Sequence, residues 1–568
     1  MSNTHRNPTD TEINAVIKFY TSGQIEEARA VLIRLTRKYP NEALLYNFLG
    51  VCYATLNQTE AAFGSFESAL RINPDNAEVH YNLGNTLKAC DRLNASIKSY
   101  TRALEINPFH ADTHINLGNA FKGIGNIEKA VSHYEHAIQI NPSYTEAHCN
   151  LGNTLHVIGN LEAAISCYQQ ALSIDPSDAE AHNCLGNTYN DLGKTDAALS
   201  AIEQALTIKP TNPQFWASYA TALHQKKFKT FNESFSNYLV KALQQPTINP
   251  NYIAPAIVSA LQQHPKIKLA IKASKNDLIE KNLPFFSDQL ASISLFLALL
   301  ENCPIADPQI EYLLTQMRRA TLNQLFDSVL NGIDFSFYYS LALHCFTNEY
   351  IFFETDEEIQ NVTKLENKIN YQVNNNLPIP PIWIVLLAAY RPLHNYLWAE
   401  QLQKTALPVN SHKILARQLF DIKKEQHLKT KIHQLTSIND STSNAVKEQY
   451  EQNPYPRWIN PGLFHNPKTI RENLHAINPQ LSIDDNHYSK MPNILIAGCG
   501  TGQHALNSQS RFLNCTVLAI DLSLNSLSYA MRKTHELSIT NINYQQADIL
   551  ELQTLDLQFD VIESVGVL

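Results

Sequence analysis

Three glycines and an aspartate near the C-terminal end have the types and spacing that suit cofactor binding. In the stretch NILIAGCGTGQ, an apolar run is followed by Gly498, Gly500 and Gly502. The apolar run fits a buried parallel strand, and glycines directly after it fit a tight turn into a helix. Asp521 ends the next apolar stretch, TVLAIDLS, where an acid can accept hydrogen bonds from both hydroxyls of a ribose. The pattern therefore predicts a site for a cofactor that contains a nucleoside.

The glycine spacing decides between cofactors. A dinucleotide site requires Gly-x-Gly-x-x-Gly, whereas here the third glycine comes one residue early and Gln503 takes its place. The observed Gly-x-Gly-x-Gly resembles the first motif of class I S-adenosylmethionine-dependent methyltransferases. Three later stretches are also similar to that family: TVLAIDLS, INYQQADILEL, and FDVIESVGVL, whose FDVI is typical of the fourth strand. The resemblance covers residues 491–568 and implies a partial α/β Rossmann-like domain.

The resemblance implies a cofactor and a role for each motif. S-adenosyl-L-methionine is the expected cofactor, with its methionine carboxylate at the positive N-terminus of the helix after Gly502. Asp521 is expected on the ribose hydroxyls and Asp548 on the adenine amino group. No metal and no covalent intermediate is implied, and no catalytic residue can be assigned. Each acid taken alone could instead be a helix cap. The expected cofactor-binding residues are Gly498, Gly500, Gly502, Asp521 and Asp548.

The number of recognisable strands affects whether the domain can be an active enzyme. The family's sheet has seven strands in the order 3-2-1-4-5-7-6, and four are recognisable here. One expectation is an incomplete copy of a longer methyltransferase, which lacks the substrate half of the domain and aggregates through its uncovered fourth strand. The alternative is a non-catalytic interaction scaffold with a vestigial methyltransferase fragment. The methyl acceptor cannot be predicted, because the missing strands would select it.

A repeat of 34 residues occupies the first part of the chain. Each copy carries a Leu-Gly pair, small residues twelve and nineteen positions after the glycine, and a closing proline. Glycine and alanine let two helices approach closely, and proline ends each unit because it cannot continue a helix. The pattern resembles tetratricopeptide repeats over residues 7–210, six units with a degenerate first one, and predicts a stacked α-solenoid with a concave groove. The prolines are Pro40, Pro74, Pro108, Pro142, Pro176 and Pro210.

Asparagines before the Leu-Gly pairs are candidate partner-binding residues. The form NLGN is similar to repeats of O-linked N-acetylglucosamine transferases, where an asparagine column grips a peptide backbone. Asn82, Asn116 and Asn150 are therefore expected to bind a protein or peptide in the groove, since an amide can both donate and accept. Alternatively, these amides tie neighbouring hairpins together, which is the stronger expectation for the asparagines after the glycine. A histidine column at residues 80, 114, 148 and 182 is expected in the hairpin wall, with a metal or pH role as the alternative.

The remaining chain is less regular. Residues 211–422 keep a helical period without a repeat and predict a helical domain, with caps at Ser287 and Asp307. Residues 423–447 are polar and predict a linker or an exposed helix, and 448–568 then form the N-terminal half of the methyltransferase domain. EQYEQNPYPRW, which ends at Trp458, is similar to a segment that precedes this domain in bacterial repeat proteins. It either packs onto the domain or forms a lid of the cofactor site.

Composition excludes several classes of protein. The chain has 53 acidic and 44 basic residues and a net charge of −9, so no polycationic surface indicates nucleic acid or anionic lipid as a partner. Nine cysteines without a Cys-x-x-Cys pair argue against zinc and disulfides. The N-terminus has no apolar core of signal-peptide length, and no apolar run is long enough to span a membrane. A cytoplasmic protein is the expectation.

Overall fold

The computed structural model describes residues 8–224, 226–325, 334–404, 408, 411–452, 457–464, 466–477, 489–554 and 556–565. Contacts divide the chain into two compact units, Met1–Thr211 and Asn212–Leu568. The first is entirely helical in its described part, and the second combines helices with a four-stranded parallel sheet. The predicted fold class, an α-solenoid followed by a partial Rossmann-like domain, is confirmed.

The first unit consists of antiparallel helix pairs that repeat along the chain. Each 13-residue helix that carries a Leu-Gly pair is followed by a 14-residue helix that carries the small residues. The helices are α1 (Asp10–Thr21), α2 (Ile25–Lys38), α3 (Ala43–Thr55), α4 (Thr59–Ile72), α5 (Ala77–Ala89), α6 (Leu93–Ile106), α7 (Ala111–Gly123), α8 (Ile127–Ile140), α9 (Thr145–Val157), α10 (Leu161–Ile174), α11 (Ala179–Asp191) and α12 (Thr195–Ile208).

The repeat glycines are required by close packing within each hairpin. A Cβ atom on Gly118 would lie 2.7 Å from a ring carbon of Tyr134, and one on Gly84 would lie 2.5 Å from the ring of Tyr100. Both rings are fully buried, so they have no room to move away. The alanines of the second helix are equally inaccessible, as Ala137 illustrates with no exposed surface. The interpretation of the repeat as a packed helix hairpin is confirmed.

The second unit begins with a helical region. Its helices are α13 (Pro213–Leu223), α14 (Glu233–Leu243), α15 (Pro250–Leu261), α16 (Pro265–Ser274), α17 (Leu283–Ala291), α18 (Ser294–Asn302), α19 (Pro308–Asn323), α20 (Ser336–Thr347), α21 (Asp356–Asn374) and α22 (Pro381–Ala388). Short 3-10 segments cover Glu280–Asn282, Leu393–Asn395 and Leu397–Lys404. Among the described helices, none alone is long and apolar enough to cross a membrane; Glu280–Ala291 and Ser294–Asn302 pass such a test only as a pair, bent by 86°.

The two predicted helix caps of this region have different outcomes. Asp307 caps α19 by accepting hydrogen bonds from the backbone N–H groups of Gln309 and Ile310, with Pro308 at the first helical position. Ser287 is not a cap. It lies inside α17, where its hydroxyl donates to the carbonyl of Leu283 and contacts the Tyr338 hydroxyl at 2.5 Å. A buried tyrosine hydroxyl needs a polar partner, and that tertiary requirement places the serine in the helix interior.

The linker predicted over residues 423–447 is wrong, and the alternative of an exposed helix fits only part of this stretch. Helix α24 (Asp421–Lys429) overlaps the start of this stretch, and its Glu425 carboxylate accepts a hydrogen bond from Arg532 Nε at 2.8 Å. Farther on, Leu435 donates its backbone N–H to the carbonyl of Gln546 in the sheet. The composition misled because Glu425 is buried and paired with Arg532 instead of being solvated, and Lys429 pairs with Glu451.

The sheet has the order β3-β2-β1-β4, with all three pairings parallel. Its strands are β1 (Asn493–Ala497), β2 (Thr516–Asp521), β3 (Ile542–Gln546) and β4 (Val561–Ser564). Helices α27 (Gln503–Arg511) and α28 (Leu524–Glu536) connect the first three strands, and α23 (Ser411–Leu415), the π-helical Ala416–Phe420, α25 (Ser441–Gln452), α26 (Ile470–Ile477) and the 3-10 segment Ile549–Thr554 complete the elements. Ile494, Ile496 and Ala519 lie in one core cluster. The parallel order brings the carboxyl ends of β1, β2 and β3 to one edge.

Candidate functional site

The loop after β1 has a backbone that only glycine adopts easily. Gly498, Gly500 and Gly502 have φ angles of 74°, 50° and 84°. The N–H groups of Gly498 and Cys499 both donate to the carbonyl of Ile520 at 2.9 Å, so the loop is held against the end of β2. A side chain at these positive φ angles would strain the backbone. The glycine turn predicted from the sequence is present.

Asp521 connects the end of β2 to this loop. Its Oδ2 accepts the N–H of Gly500 at 2.8 Å, and its Oδ1 accepts the N–H of Ser523 at 2.9 Å. Burial raises the pKa of the Asp521 carboxyl above its ordinary value, although the backbone hydrogen bonds from Ser523 and Gly500 oppose this effect. Each carboxylate oxygen has a second lone pair, so the group retains acceptor capacity for a ligand hydroxyl.

Asp548 has an oxygen without a partner. Its side chain is 2% exposed, and its Oδ1 accepts the N–H of Leu550 at 3.0 Å. Its Oδ2 is buried and has no hydrogen-bond partner among the described residues. An unpaired buried acceptor costs free energy, and a ligand N–H donor would remove that cost. The backbone N–H of Asp548 donates to Thr436 Oγ1 at 2.7 Å, which fixes this turn to the segment before α25.

These residues surround one cavity of about 560 Å³. It brings together four of the five predicted cofactor residues: Gly498, Gly500, Asp521 and Asp548. A Cβ atom on Gly500 would meet no protein atom within 4 Å, so the space above this residue is open. Gly502 does not line the cavity. A Cβ atom there would lie 2.5 Å from the Cβ of Ala530, so this glycine serves the packing of the loop on α28.

One wall of the cavity comes from α25, of which only the residues from Glu448 onwards were expected near the cofactor site, as part of a candidate lid. Thr442, Val446 and Tyr450 line the cavity from one face of this helix. Their spacing of four residues is that of a single helix face, a signal that the sequence offered. Glu451 holds the helix in place, because its carboxylate accepts the N–H groups of Leu524 and Asn525 at the start of α28, at 2.5 and 3.3 Å. A carboxylate is favourable at the N-terminus of a helix.

The buried cysteines of this unit are unsuited to nucleophilic chemistry. Burial and the charge of Asp521 raise the pKa of Cys499 well above its ordinary value. In α20, burial raises the pKa of the Cys345 thiol to about 12. Burial also lowers the pKa of the adjacent His344 to about 4. Nucleophilic cysteines need the thiolate form, and these environments oppose it.

The asparagines predicted for the groove make contacts within the first unit. Asn82 Nδ2 donates to Asn47 Oδ1 at 3.1 Å, and Asn116 Nδ2 donates to the Tyr81 hydroxyl at 3.3 Å. Both partners lie one repeat earlier, so these two amides tie neighbouring hairpins together, as the alternative expected. Asn150 Nδ2 instead approaches Glu146 of its own helix at 3.5 Å. All three side chains are only half-buried and retain surface for a partner.

Two other polar columns are structural. The hydroxyls of Tyr100, Tyr134 and Tyr168 donate to the asparagines that follow each Leu-Gly pair, at 2.7 Å in every case. Each of these bonds joins the two helices of one hairpin, so the expectation that these asparagines tie neighbouring hairpins together is wrong. In the histidine column, each Nε2 lies 3.0–3.1 Å from the carbonyl of the preceding repeat's proline, at His80, His114, His148 and His182. A carbonyl oxygen can only accept a hydrogen bond, so the Nε2 atom that faces it must carry the proton. Within the described part of the chain, no group of three or more histidine, cysteine or acidic residues could hold a metal ion.

Comparison with known families places both units. The chain is a helical repeat protein joined to a Rossmann-like domain, and the matched families make this specific. Tetratricopeptide repeat families match residues 14–77, 77–110, 124–159, 156–193 and 179–212. The family described as methyltransferase domain matches residues 494–568. The protein is therefore a tetratricopeptide repeat protein with a methyltransferase domain at its C-terminus.

Solved structures similar to the chain align with part of it. The crystal structure of MamA is 25% identical over 28% of this chain and 95% of its own, with a TM-score of 0.28. YrrB, described as a tetratricopeptide repeat protein with an unusual peptide-binding site, is 22% identical over 34% of this chain and 96% of its own, with a TM-score of 0.30. A thermophilic repeat protein of Thermus thermophilus is 26% identical over 32% and 99%, with a TM-score of 0.27. Among curated proteins, none matches the chain.

Proposed function

We propose that the protein is an S-adenosylmethionine-dependent methyltransferase whose repeat unit recruits a protein or peptide. The observation that carries the cofactor assignment is the unpaired Oδ2 of Asp548 in the wall of the cavity. It suits the amino group of an adenine, which is a donor. Gly500 adds a position without a side chain, where a ligand can approach the backbone.

The residues of the cavity supply binding and orientation. S-adenosylmethionine would bring a methyl group on a cationic sulfonium, which an acceptor can attack directly. Asp548 would select the adenine, and Asp521 would accept the ribose hydroxyls with its remaining lone pairs. The α25 wall would shield the cofactor from water on the side of Tyr450. Holding a donor in one orientation in a dry site supports displacement without a protein nucleophile.

The cofactor assignment is tested by titration calorimetry with S-adenosylmethionine and, separately, NAD. We expect the protein to bind S-adenosylmethionine but not NAD. In Asp548→Asn, binding of S-adenosylmethionine should be weaker by about 1.5–3 kcal/mol, the range for a hydrogen bond to a charged group. An asparagine has only one side-chain oxygen, so it cannot accept hydrogen bonds from the Leu550 N–H and the adenine amino group with two separate oxygens as the aspartate does. Asp556→Asn is the matched control, because Asp556 is an exposed carboxylate of the same domain. Absence of binding, together with no methyl transfer, would favour the alternative of a non-catalytic scaffold.

The proposed partner site is supported by a cavity at the start of the repeat unit. A cavity of about 440 Å³ is lined by apolar side chains of α1 and α3, and its rim includes Asn82 and Glu78 of α5. Ile17 and Leu44 are 41% and 37% exposed at this cavity. An apolar pocket beside a half-exposed amide suits a peptide that inserts a large apolar side chain and presents its backbone to the amide.

The partner site is tested with a protein partner isolated by affinity capture and then purified. Replacing Asn82, Asn116 and Asn150 with Ala should weaken its binding by about 0.5–1.5 kcal/mol for each lost amide contact. Asn85→Ala is the control for stability, because that side chain accepts the Tyr100 hydroxyl inside a hairpin. Unchanged affinity in the triple variant would assign the three asparagines to structure alone. The cytoplasmic location and the exclusion of nucleic acid and membrane partners remain predictions.

A further inference from the structure

A short segment after α25 contacts both the glycine loop and the helical region. We define residues 457–462 as the bridge segment. Trp458 is 2% exposed, and its indole Nε1–H donates to the carbonyl of Thr501 at 2.9 Å. The carbonyl of Trp458 accepts the hydroxyl of Tyr529 from α28 at 2.5 Å. The indole therefore fixes the carbonyl of Thr501, which lies between Gly500 and Gly502 in the loop.

The residue before this tryptophan is fixed to the helical region. Arg457 is 9% exposed, and its Nε donates to Glu349 Oε1 at 2.5 Å. Its guanidinium lies 4.7 Å from the ring centre of Phe346. A buried charge is stable only when it is paired, and the partner here is a carboxylate just after α20. The position of the bridge segment therefore depends on the helical region.

The other end of the bridge segment repeats this arrangement. Asn460 Nδ2 donates to the carbonyl of Leu243 at 3.4 Å, and a Cβ atom on Gly462 would lie 2.7 Å from the backbone nitrogen of Asn249. The carbonyl of Pro461 accepts Gln503 Nε2 from the first turn of α27 at 3.5 Å. Both ends of the segment thus contact the helical region, and both contact the loop or the helix that follows it.

We propose that the helical region is part of the cofactor-binding apparatus and that Trp458 is a positioning residue for the glycine loop. This inference rests on the proposed function. Three successive positive-φ glycines give the loop many alternative conformations when it is unconstrained. The indole hydrogen bond selects one of them, and the Arg457–Glu349 pair holds the indole. Pre-ordering the loop lowers the entropy that a ligand must remove on binding.

The first test compares two tryptophan variants of the full chain by calorimetry with S-adenosylmethionine. Trp458→Phe keeps an aromatic ring but removes the indole N–H, and we expect the affinity to fall about five- to tenfold. Trp398→Phe is the matched control, because Trp398 is also buried and its Nε1 has no hydrogen-bond partner among the described residues. Its affinity should be unchanged. Equal affinity for Trp458→Phe and the wild type would overturn the proposal.

The second test separates positioning from general destabilisation. Hydrogen exchange of the Thr501–Gln503 amides should accelerate in Trp458→Phe and in Glu349→Gln, while exchange in the other strands stays at the wild-type rate. Glu354→Gln is the control for Glu349, because Glu354 pairs with Arg391 within the helical region. Uniform acceleration across the domain would overturn the proposal. If the wild type binds no S-adenosylmethionine, the proposed function fails, whereas the exchange experiment still decides whether Trp458 orders the loop.

Discussion

Asp521 holds the glycine loop and, in the proposed function, would also bind the cofactor. Asp521 accepts backbone N–H groups from Gly500 and Ser523, so its replacement would disturb the loop and the cofactor site together. Gly500 separates the two roles better, since a Cβ atom at that position would meet no protein atom within 4 Å. If a larger residue at position 500 weakens ligand binding, the cause would then be a clash with the ligand and not a clash within the protein.

At this scale we predict that Gly500→Ala loses S-adenosylmethionine binding. The added methyl group projects into the cavity that Gly500 lines, and its positive φ of 50° adds backbone strain of about 1–2 kcal/mol. Gly125→Ala is the control. Gly125 has a φ of 79° and open space around it in a loop of the repeat unit, so its variant carries similar strain without a ligand. Calorimetry and thermal unfolding measure both effects. Retained binding in Gly500→Ala would place the cofactor elsewhere.

At the scale of elements, the helix hairpins of the repeat unit depend on glycines, whose lack of a side chain lets the two helices pack closely. We predict that Gly118→Ala destabilises the protein by about 1–3 kcal/mol through overpacking. The new Cβ would lie 2.7 Å from the Tyr134 ring, whose hydroxyl is held by Asn119. Gly64→Ala is the opposite control. Gly64 lies inside α4 with nothing within 4 Å, so the change should stabilise by roughly 0.5–1 kcal/mol. Chemical denaturation that gives both variants the same sign would contradict the hairpin packing.

A second prediction at this scale concerns β4 and α27. Although burial opposes it, hydrogen bonds from His504 and Ser508 and the charge of Arg511 lower the pKa of Glu563 on β4 to about 2. A depressed carboxyl pKa stabilises the fold above the unfolded pKa, near 4.5, and this contribution is lost as the pH falls towards 2. Glu563→Gln should therefore lower the free energy of unfolding by about 1–3 kcal/mol at pH 7.

Denaturant titrations between pH 7 and pH 3 measure that difference. The difference in unfolding free energy between wild type and Glu563→Gln should be constant above about pH 4.5 and narrow below it. The reason is that the carboxyl becomes protonated in the unfolded state there, while the folded-state carboxyl, with a pKa of about 2, stays ionised. Asp556→Asn, which removes an exposed carboxylate, should show a much smaller gap over the same range. A gap between wild type and Glu563→Gln that stays constant down to pH 3 would mean that Glu563 is not held by the α27 side chains.

For the whole molecule, two compact units imply two separable responses to ligands. S-adenosylmethionine should slow hydrogen exchange in the second unit, above all around Asp521 and Asp548, since a ligand stabilises the state that binds it. The first unit, Met1–Thr211, should keep its exchange rates. A peptide partner should give the reverse pattern, with protection on α1, α3 and α5 and on the helices α7 and α9 that carry Asn116 and Asn150. Protection of the repeat unit by S-adenosylmethionine alone would show that the two sites are coupled.

Local patterns in the sequence determined the architecture of both units. The 34-residue period specifies the hairpins because each glycine or alanine column lies at a close helix contact that recurs in every repeat, as at Gly84 and Gly118. Likewise, an apolar strand, a glycine turn and an acid after the next strand specify a parallel sheet and the position of Asp521. These features are short-range in the chain, so the residues that cause them are neighbours in the sequence.

The tertiary structure decided which residues that are distant in the sequence contact one another. It turned the polar stretch 423–447 into part of the domain through the Glu425–Arg532 pair and made α25 a wall of the cavity. It assigned Gly502 to packing against Ala530, and it engaged Asn82 and Asn116 with the preceding repeat. It also joined Trp458 to the glycine loop. The sequence offered the helical spacing in α25, the alternative that Asn82 and Asn116 tie neighbouring hairpins together, and the packing of the segment that ends at Trp458. It did not identify the contacting partners, because these depend on which surfaces the completed fold brings together.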